Sequence, residues 1–168
     1  MKNYLAKLSI MISLVFFLFN AAWAQSNITF SKGQTVYVPV YSHIYSGSKG
    51  RSFDLTVTLS IRNTNPKRPI TISIVDYYNC DGKLQKRYIE QPIKLNALAS
   101  HRFVIMESDR TGGSGANFIV KWKSEHKGNP PIIESIMIGT KSKQGISFTS
   151  RGQVIEASTV NDLGLYEK

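Results

Sequence analysis

Between Phe53 and Ile61 every second residue is apolar, and the residues between them are Asp54, Thr56, Thr58 and Ser60. A period of two, with one apolar and one wet face, marks a half-buried β-strand. After Asn63-Thr-Asn-Pro-Lys-Arg-Pro69 the alternation returns as Ile70-Thr-Ile-Ser-Ile74 and then meets Asp81-Gly82. That dipeptide predicts a hairpin with a two-residue turn, because Asp and Gly tolerate the backbone angles such a turn needs. The returning strand is Leu84 to Ile89. The stretch from Phe53 to Glu90 therefore reads as three antiparallel strands in a row.

The same pattern continues on both sides. Gln34 to Tyr41 predicts a strand with Val36, Val38 and Val40 on one face and Tyr37 and Tyr41 on the other. Pro39 cannot donate to a ladder, so this strand is expected at an edge or a corner. Ser42 to Arg51 reads as a surface loop carrying Tyr45. Gln91 to Ser100 gives a short strand and a turn, Arg102 to Met106 a further strand, and Ser108 to Asn117 a Gly-rich loop. Phe118, Val120 and Trp122 then alternate with Ile119, Lys121 and Lys123. Ile132 to Ile138 follows, and Ile146 to Phe148 followed by Val154-Ile155 closes the sheet, for roughly eight or nine strands at short spacing with no helical period among them. The expected fold class is all-β, a single immunoglobulin-like antiparallel β-sandwich, with a small β-barrel as the alternative. The Cys pair and framework Trp of antibody domains are absent.

The N-terminus has a different texture. Leu8 to Phe19 is an apolar run of 12 residues behind Lys2 and Lys7, followed by Ala22-Trp-Ala24. Spanning a bilayer takes about 20 residues, so residues 1–24 read as a cleaved signal peptide cut before Gln25. The expected organisation is signal peptide 1–24, β-sandwich domain 25–157 and loose C-terminal tail 158–168, with no transmembrane segment in the mature chain. Its expected location is the periplasm or the exterior. Loss of the two signal lysines takes the net charge from +10 to +8. A basic exported protein is drawn to anionic polymers or a membrane surface, yet the charges are scattered, as on an ordinary solvated surface. No specific nucleic-acid contact is indicated.

Candidate chemistry is sparse. Cys80, the one cysteine, cannot form an intramolecular disulfide; beside a turn it is a candidate for redox chemistry or a bridge between chains, or an inert free thiol. Asp109-Arg-Thr-Gly-Gly-Ser-Gly-Ala-Asn117 is the most site-like loop. Gly112, Gly113 and Gly115 would let backbone N–H groups crowd around an anion beside Arg110, but the Lys-Ser/Thr ending and following helix of a phosphate loop are missing. Ser114 lacks the surroundings of a nucleophile elbow. The plainer reading is a tight inter-strand loop needing positive φ. His43, His101 and His126 are too dispersed for a zinc signature, and Glu107 with Asp109 offers too few oxygens for a calcium loop, so no metal or cofactor is expected. Tyr37, Tyr41, Tyr45, Tyr77, Tyr78 and Tyr88 suit an interface as well as cross-strand packing. Of the Tyr77-Tyr78 pair one must face outward. The candidate binding residues are Tyr45, Tyr78, Asp109, Arg110, Gly112, Gly113, Ser114 and Asn117.

Gly33-Gln-Thr-Val-Tyr-Val-Pro-Val-Tyr-Ser42, Asp76-Tyr-Tyr-Asn-Cys-Asp-Gly82 and Gly112-Gly-Ser-Gly-Ala-Asn-Phe-Ile-Val-Lys-Trp122 resemble a family of secreted bacterial proteins known as a domain of unknown function, number 3124. The resemblance covers about Gly33 to Ile155 and implies an exported bacterial single-domain protein; it carries over no catalytic residue. The expected function is a non-catalytic binding or assembly module of the periplasm or cell envelope, partnered by an envelope protein. Two alternatives stand beside it: a hydrolase or thiol redox enzyme using the 109–117 loop or Cys80, and a binder of anionic polymers or membrane surface. The oligomeric state is left open.

Overall fold

Alternation makes each strand a two-faced ribbon, and two sheets of such ribbons here bury their apolar faces against each other. The structure, a computed structural model, describes residues 30–140 and 145–157. The expected signal peptide 1–24 and C-terminal tail 158–168 lie outside them. The described residues form β1 (Ser31–Val40), β2 (His43–Ser46), β3 (Arg51–Asp54), β4 (Thr56–Arg62), β5 (Ile70–Tyr78), β6 (Leu84–Arg87), β7 (Ile93–Leu95), β8 (Ser100–Ile105), β9 (Ala116–Gly128), β10 (Ile132–Gly139), β11 (Ile146–Arg151) and β12 (Gln153–Ala157). They contain no helix. One sheet runs β12-β1-β9-β5-β6, with β7 also on β5; the second runs β11-β10-β4-β8; β2 and β3 form a separate hairpin. All pairings are antiparallel.

The core is drawn from the alternating positions. Val36, Val38 and Val40 of β1 and Phe118, Val120 and Trp122 of β9 meet Leu55 and then Val57, Leu59 and Ile61 of β4, all buried. Cys80 is a free thiol, so packing rather than cross-linking carries the fold. The strand that holds Pro39 is not an edge strand, since β1 lies between β12 and β9, but Pro39 itself sits beyond the β12 pairing. Pairing of β12 with β1 covers only Gln34 to Tyr37, and the Pro39 carbonyl accepts a 2.6 Å hydrogen bond from Ser135 Oγ of β10 in the other sheet. Tyr41, expected on the outer face, packs on the core against Phe148.

The stretch from Phe53 to Glu90 departs from three paired strands in a row. The first two, β4 and β5, lie in different sheets. The connection between them is held by Asn63, which is 3% exposed. Its Nδ2 donates to the carbonyls of Arg68, Leu95 and Asn96 at 2.9, 3.2 and 2.9 Å, so the chain crosses over instead of folding back. Within β5 the alternation changes phase. A bulge between Ile72 and Ile74 leaves Ile74 36% exposed and sends Val75 and Tyr77 into the core. The β5–β6 hairpin forms, but its turn is longer than two residues. Tyr78 pairs with Leu84, Asn79 N donates to Lys83 O at 3.0 Å, and Gly82 takes φ 72°. The Phe53–Ile61 run is also interrupted at Leu55. Phe53 belongs to the β2–β3 hairpin, which occupies the segment expected as loop and pairs Ile44 with Phe53.

Candidate functional site

Strand polarity gathers the candidates. The pairings Val40–Ala116, Tyr78–Asn117 and Val57–Ile105 set the last residues of β1, β5 and β8 and the first residues of β4 and β9 at one end of the sandwich. Among the connections leaving that end are the β2–β3 segment, the Asn79–Lys83 turn and the Met106–Gly115 loop. Tyr45, Tyr78, Cys80, Asp109, Arg110, Gly112, Gly113, Ser114 and Asn117 all lie there.

Hydrogen bonds tie these connections together. Ser42 N and Oγ both donate to Gly113 O, at 3.0 and 2.9 Å. Cys80 N donates to Gly112 O at 3.1 Å; its thiol donates to the same carbonyl at 3.1 Å and accepts from Gly115 N at 3.2 Å. Arg110 Nε lies 3.0 Å from Asp54 Oδ1, and Nη2 donates to Ser52 Oγ at 2.9 Å. Asp109 Oδ1 accepts from Thr111 N and Oγ1 at 3.0 and 2.6 Å. The loop's polar groups are thus largely occupied in fixing its own shape. The glycines are needed for close approach. A side chain at Gly112 would run into the Tyr77 ring, and one at Gly113, where φ is 78°, would meet Cys80 Sγ.

Beneath this surface lies Tyr77, 1% exposed and packed on Phe118 with ring centroids 5.2 Å apart. Burial drives its phenol well above the ordinary range; Asp109, Tyr88 and Cys80 push the same way, and the Gly112 backbone opposes them. Its Oη lies against Gly112 without completing a hydrogen bond. Burial, with Asp109 second, likewise raises the Tyr88 phenol. Of the adjacent tyrosines, Tyr78 is the one facing outward, as one of the pair had to. It sits half-buried in a row with Leu84, Asn117 and Pro39 on the outer face of the six-stranded sheet. Tyr45 is 63% exposed, and its hydroxyl lies 3.2 Å from His43 Nε2.

Among the described residues Ser114 has no histidine partner: the His43 ring nitrogens face Tyr45 Oη and Ser42 Oγ, and His101 stacks on Phe103 at 4.7 Å. Among the described residues no three His, Cys, Asp or Glu side chains are grouped to hold a metal ion. Sequence reasoning missed Ser42, Ser52 and Asp54, which lock the site, and the roles of Tyr77 and Tyr88 beneath it. Their only signal was polar character at strand ends.

No curated protein matches the chain. Among solved structures, the crystal structure of Thermotoga maritima 1070 is similar at a TM-score of 0.45 and 11% identity, covering 74% of this chain and 97% of that one. A likeness at that level carries no functional argument. The model of the family described as "Protein of unknown function (DUF3124)" matches residues 33–155, nearly all of both sheets, and the chain belongs to that family.

Proposed function

We propose that the chain is an exported, immunoglobulin-like, non-catalytic binding or assembly module of the bacterial periplasm or cell envelope, and that it meets an envelope protein with the loop end of its sandwich. The signal-like residues 1–24 support export. The strand order supports the fold reading. Neighbours β1-β9-β5 and β11-β10-β4 follow the B-E-D and G-F-C orders of immunoglobulin sheets, with β12 at the position of A and β8 beside β4 at that of C′. The order along the chain differs, since β8 follows β5 and β12 comes last. On this mapping the β2–β3 hairpin is the B–C connection, one of those that make contacts in antibody variable domains.

The observation that carries the reading is the mutual locking of separate connections around exposed Tyr45 and half-exposed Tyr78. A surface held rigid before contact loses less entropy on binding. Tyr adds contact area with few rotatable bonds and is enriched at interfaces. Both residues are away from the core, so the double variant Tyr45→Ala/Tyr78→Ala should melt close to wild type while losing its envelope partner in cross-linking from intact cells. Retention of every partner by a folded double variant defeats the proposal.

A further inference from the structure

The opposite end of the sandwich carries a second, unrelated feature. Phe30, Asn65, Lys67, Arg68, Lys127 and Asn129 line an open cavity of about 260 Å³ together with Pro66 and Gly128. Three of these side chains are cations and none is an acid. Among the described residues none of the three cations makes an ion pair, although Arg62, Arg87 and Arg110 all do. Three unneutralised cations around one concavity focus a positive potential into it.

The cavity wall is also built rather than incidental. Lys67 and Arg68 are bracketed by Pro66 and Pro69, each with its φ fixed by the ring. Asn65 Oδ1 accepts from Lys67 N and Arg68 N at 3.0 and 3.1 Å. Asn65 N in turn donates to Asn63 Oδ1 at 3.0 Å, and buried Asn63 holds the Arg68 carbonyl. Thr64 Oγ1 donates to Pro130 O at 2.9 Å, tying the segment before the turn to the one after β9. The two cations therefore stand on a rigid turn, facing Lys127 from the end of β9. Phe30, 58% exposed, adds an apolar wall.

We propose that this cavity binds a phosphate ester. A guanidinium fork matches phosphate oxygens two at a time, and lysines add point charges. A phosphate monoester carries roughly −1.5 to −2 charge and the phosphodiester of an anionic phospholipid a single negative charge, and both present several oxygens to a cluster of cations, where a carboxylate has only two. The volume is below the ~300 Å³ where pockets for drug-sized ligands begin, so it takes a headgroup-sized molecule whose carbon skeleton rests on Phe30. A soluble glycerol phosphate and the headgroup of an anionic phospholipid share this chemistry.

The test is amide-shift titration of the labelled full chain with glycerol 3-phosphate against glycerol, and co-sedimentation with phosphatidylglycerol vesicles against phosphatidylcholine vesicles. Saturable shifts confined to residues 64–69 and 127–129 support the site and point to a soluble ester. Binding to phosphatidylglycerol vesicles alone, lost in the same variants, supports it with lipid as the source. Arg68→Ala and Lys127→Ala, both at exposed positions, should each weaken binding about tenfold or more with unchanged melting. Lys49→Ala removes an equal charge beside the loop end and should change nothing. Absence of binding in both arms, or an equal loss in Lys49→Ala, overturns the proposal.

Discussion

The seam between Gly112 and Tyr77 holds the loop end down on the core, and it can be tested by crowding it. In Gly112→Ala the new methyl would overlap Tyr77 Oη and stand 2.5 Å from Tyr77 Cζ and 2.7 Å from Ala116 Cβ. Tyr77 cannot swing aside, being 1% exposed and stacked on Phe118. Overpacking of this kind costs about 1–3 kcal/mol, and for a domain of this size each kcal/mol lowers Tm by about 3–5 °C. Tyr77→Phe removes the first atom in the way. Its Oη is buried without a hydrogen bond, and a hydroxyl so placed costs ~1–3 kcal/mol, so this variant alone should be neutral or slightly stabilising. In the Tyr77→Phe background Gly112→Ala should then cost less, by about 0.5–2 kcal/mol in a double-mutant cycle. The contacts with Cζ and Ala116 keep the relief partial. Denaturant titrations of the four proteins give the cycle. An additive cycle, or a Tyr77→Phe loss above about 1 kcal/mol, would show that the hydroxyl is bonded and that the methyl strikes something else.

Three further outcomes follow from other parts of the molecule. Asn63→Ala strips a buried hub from the Arg68, Leu95 and Asn96 carbonyls; it should cost roughly 2–3 kcal/mol, with faster amide exchange over residues 64–69. Leu98 holds φ 58° while 69% exposed, so Leu98→Gly should raise stability by up to ~1 kcal/mol in the same titrations. Burial raises the phenols of Tyr77 and Tyr88 in the folded chain. On raising the pH the unfolded chain therefore loses these protons first, near pH 10. Below that point the stability is fully present; above it the native state holds more protons and stability falls. Unfolding free energies measured across this range should decline, and Tyr77→Phe should flatten the decline.

Much of the fold was legible because burial on one face imposes a period of two. Val36 to Val40, Val57 to Ile61 and Phe118 to Trp122 were assigned to the core from alternation alone, and they are there. Alternation failed where the ladder slips. The bulge after Ile72 exposes Ile74, and nothing local in Ile-Thr-Ile-Ser-Ile announces an extra residue. Sheet partnership was equally hidden: adjacency of β4 and β5 in the chain suggested pairing, but Asn63 and the Pro66–Pro69 turn send them to opposite sheets. The β2–β3 hairpin escaped notice because Ser, Gly and Lys dominate it, with Ile44 and Phe53 too far apart to read as a pair. The Asp109–Asn117 loop and Cys80 each stand out locally in the sequence. That they touch, through Cys80 Sγ, Gly112 O and Gly115 N, is a long-range fact that no local window contains.

On the reading proposed above, the loop end of the sandwich is the face that meets a partner. The most direct measurement places a photo-crosslinking residue singly at Tyr45, at Tyr78 and at Leu98, which is exposed at the far end, and irradiates intact cells. A discrete adduct of one mass is expected from both Tyr45 and Tyr78, and none from Leu98. Adducts from Leu98 alone, or of equal yield from all three positions, would contradict that reading.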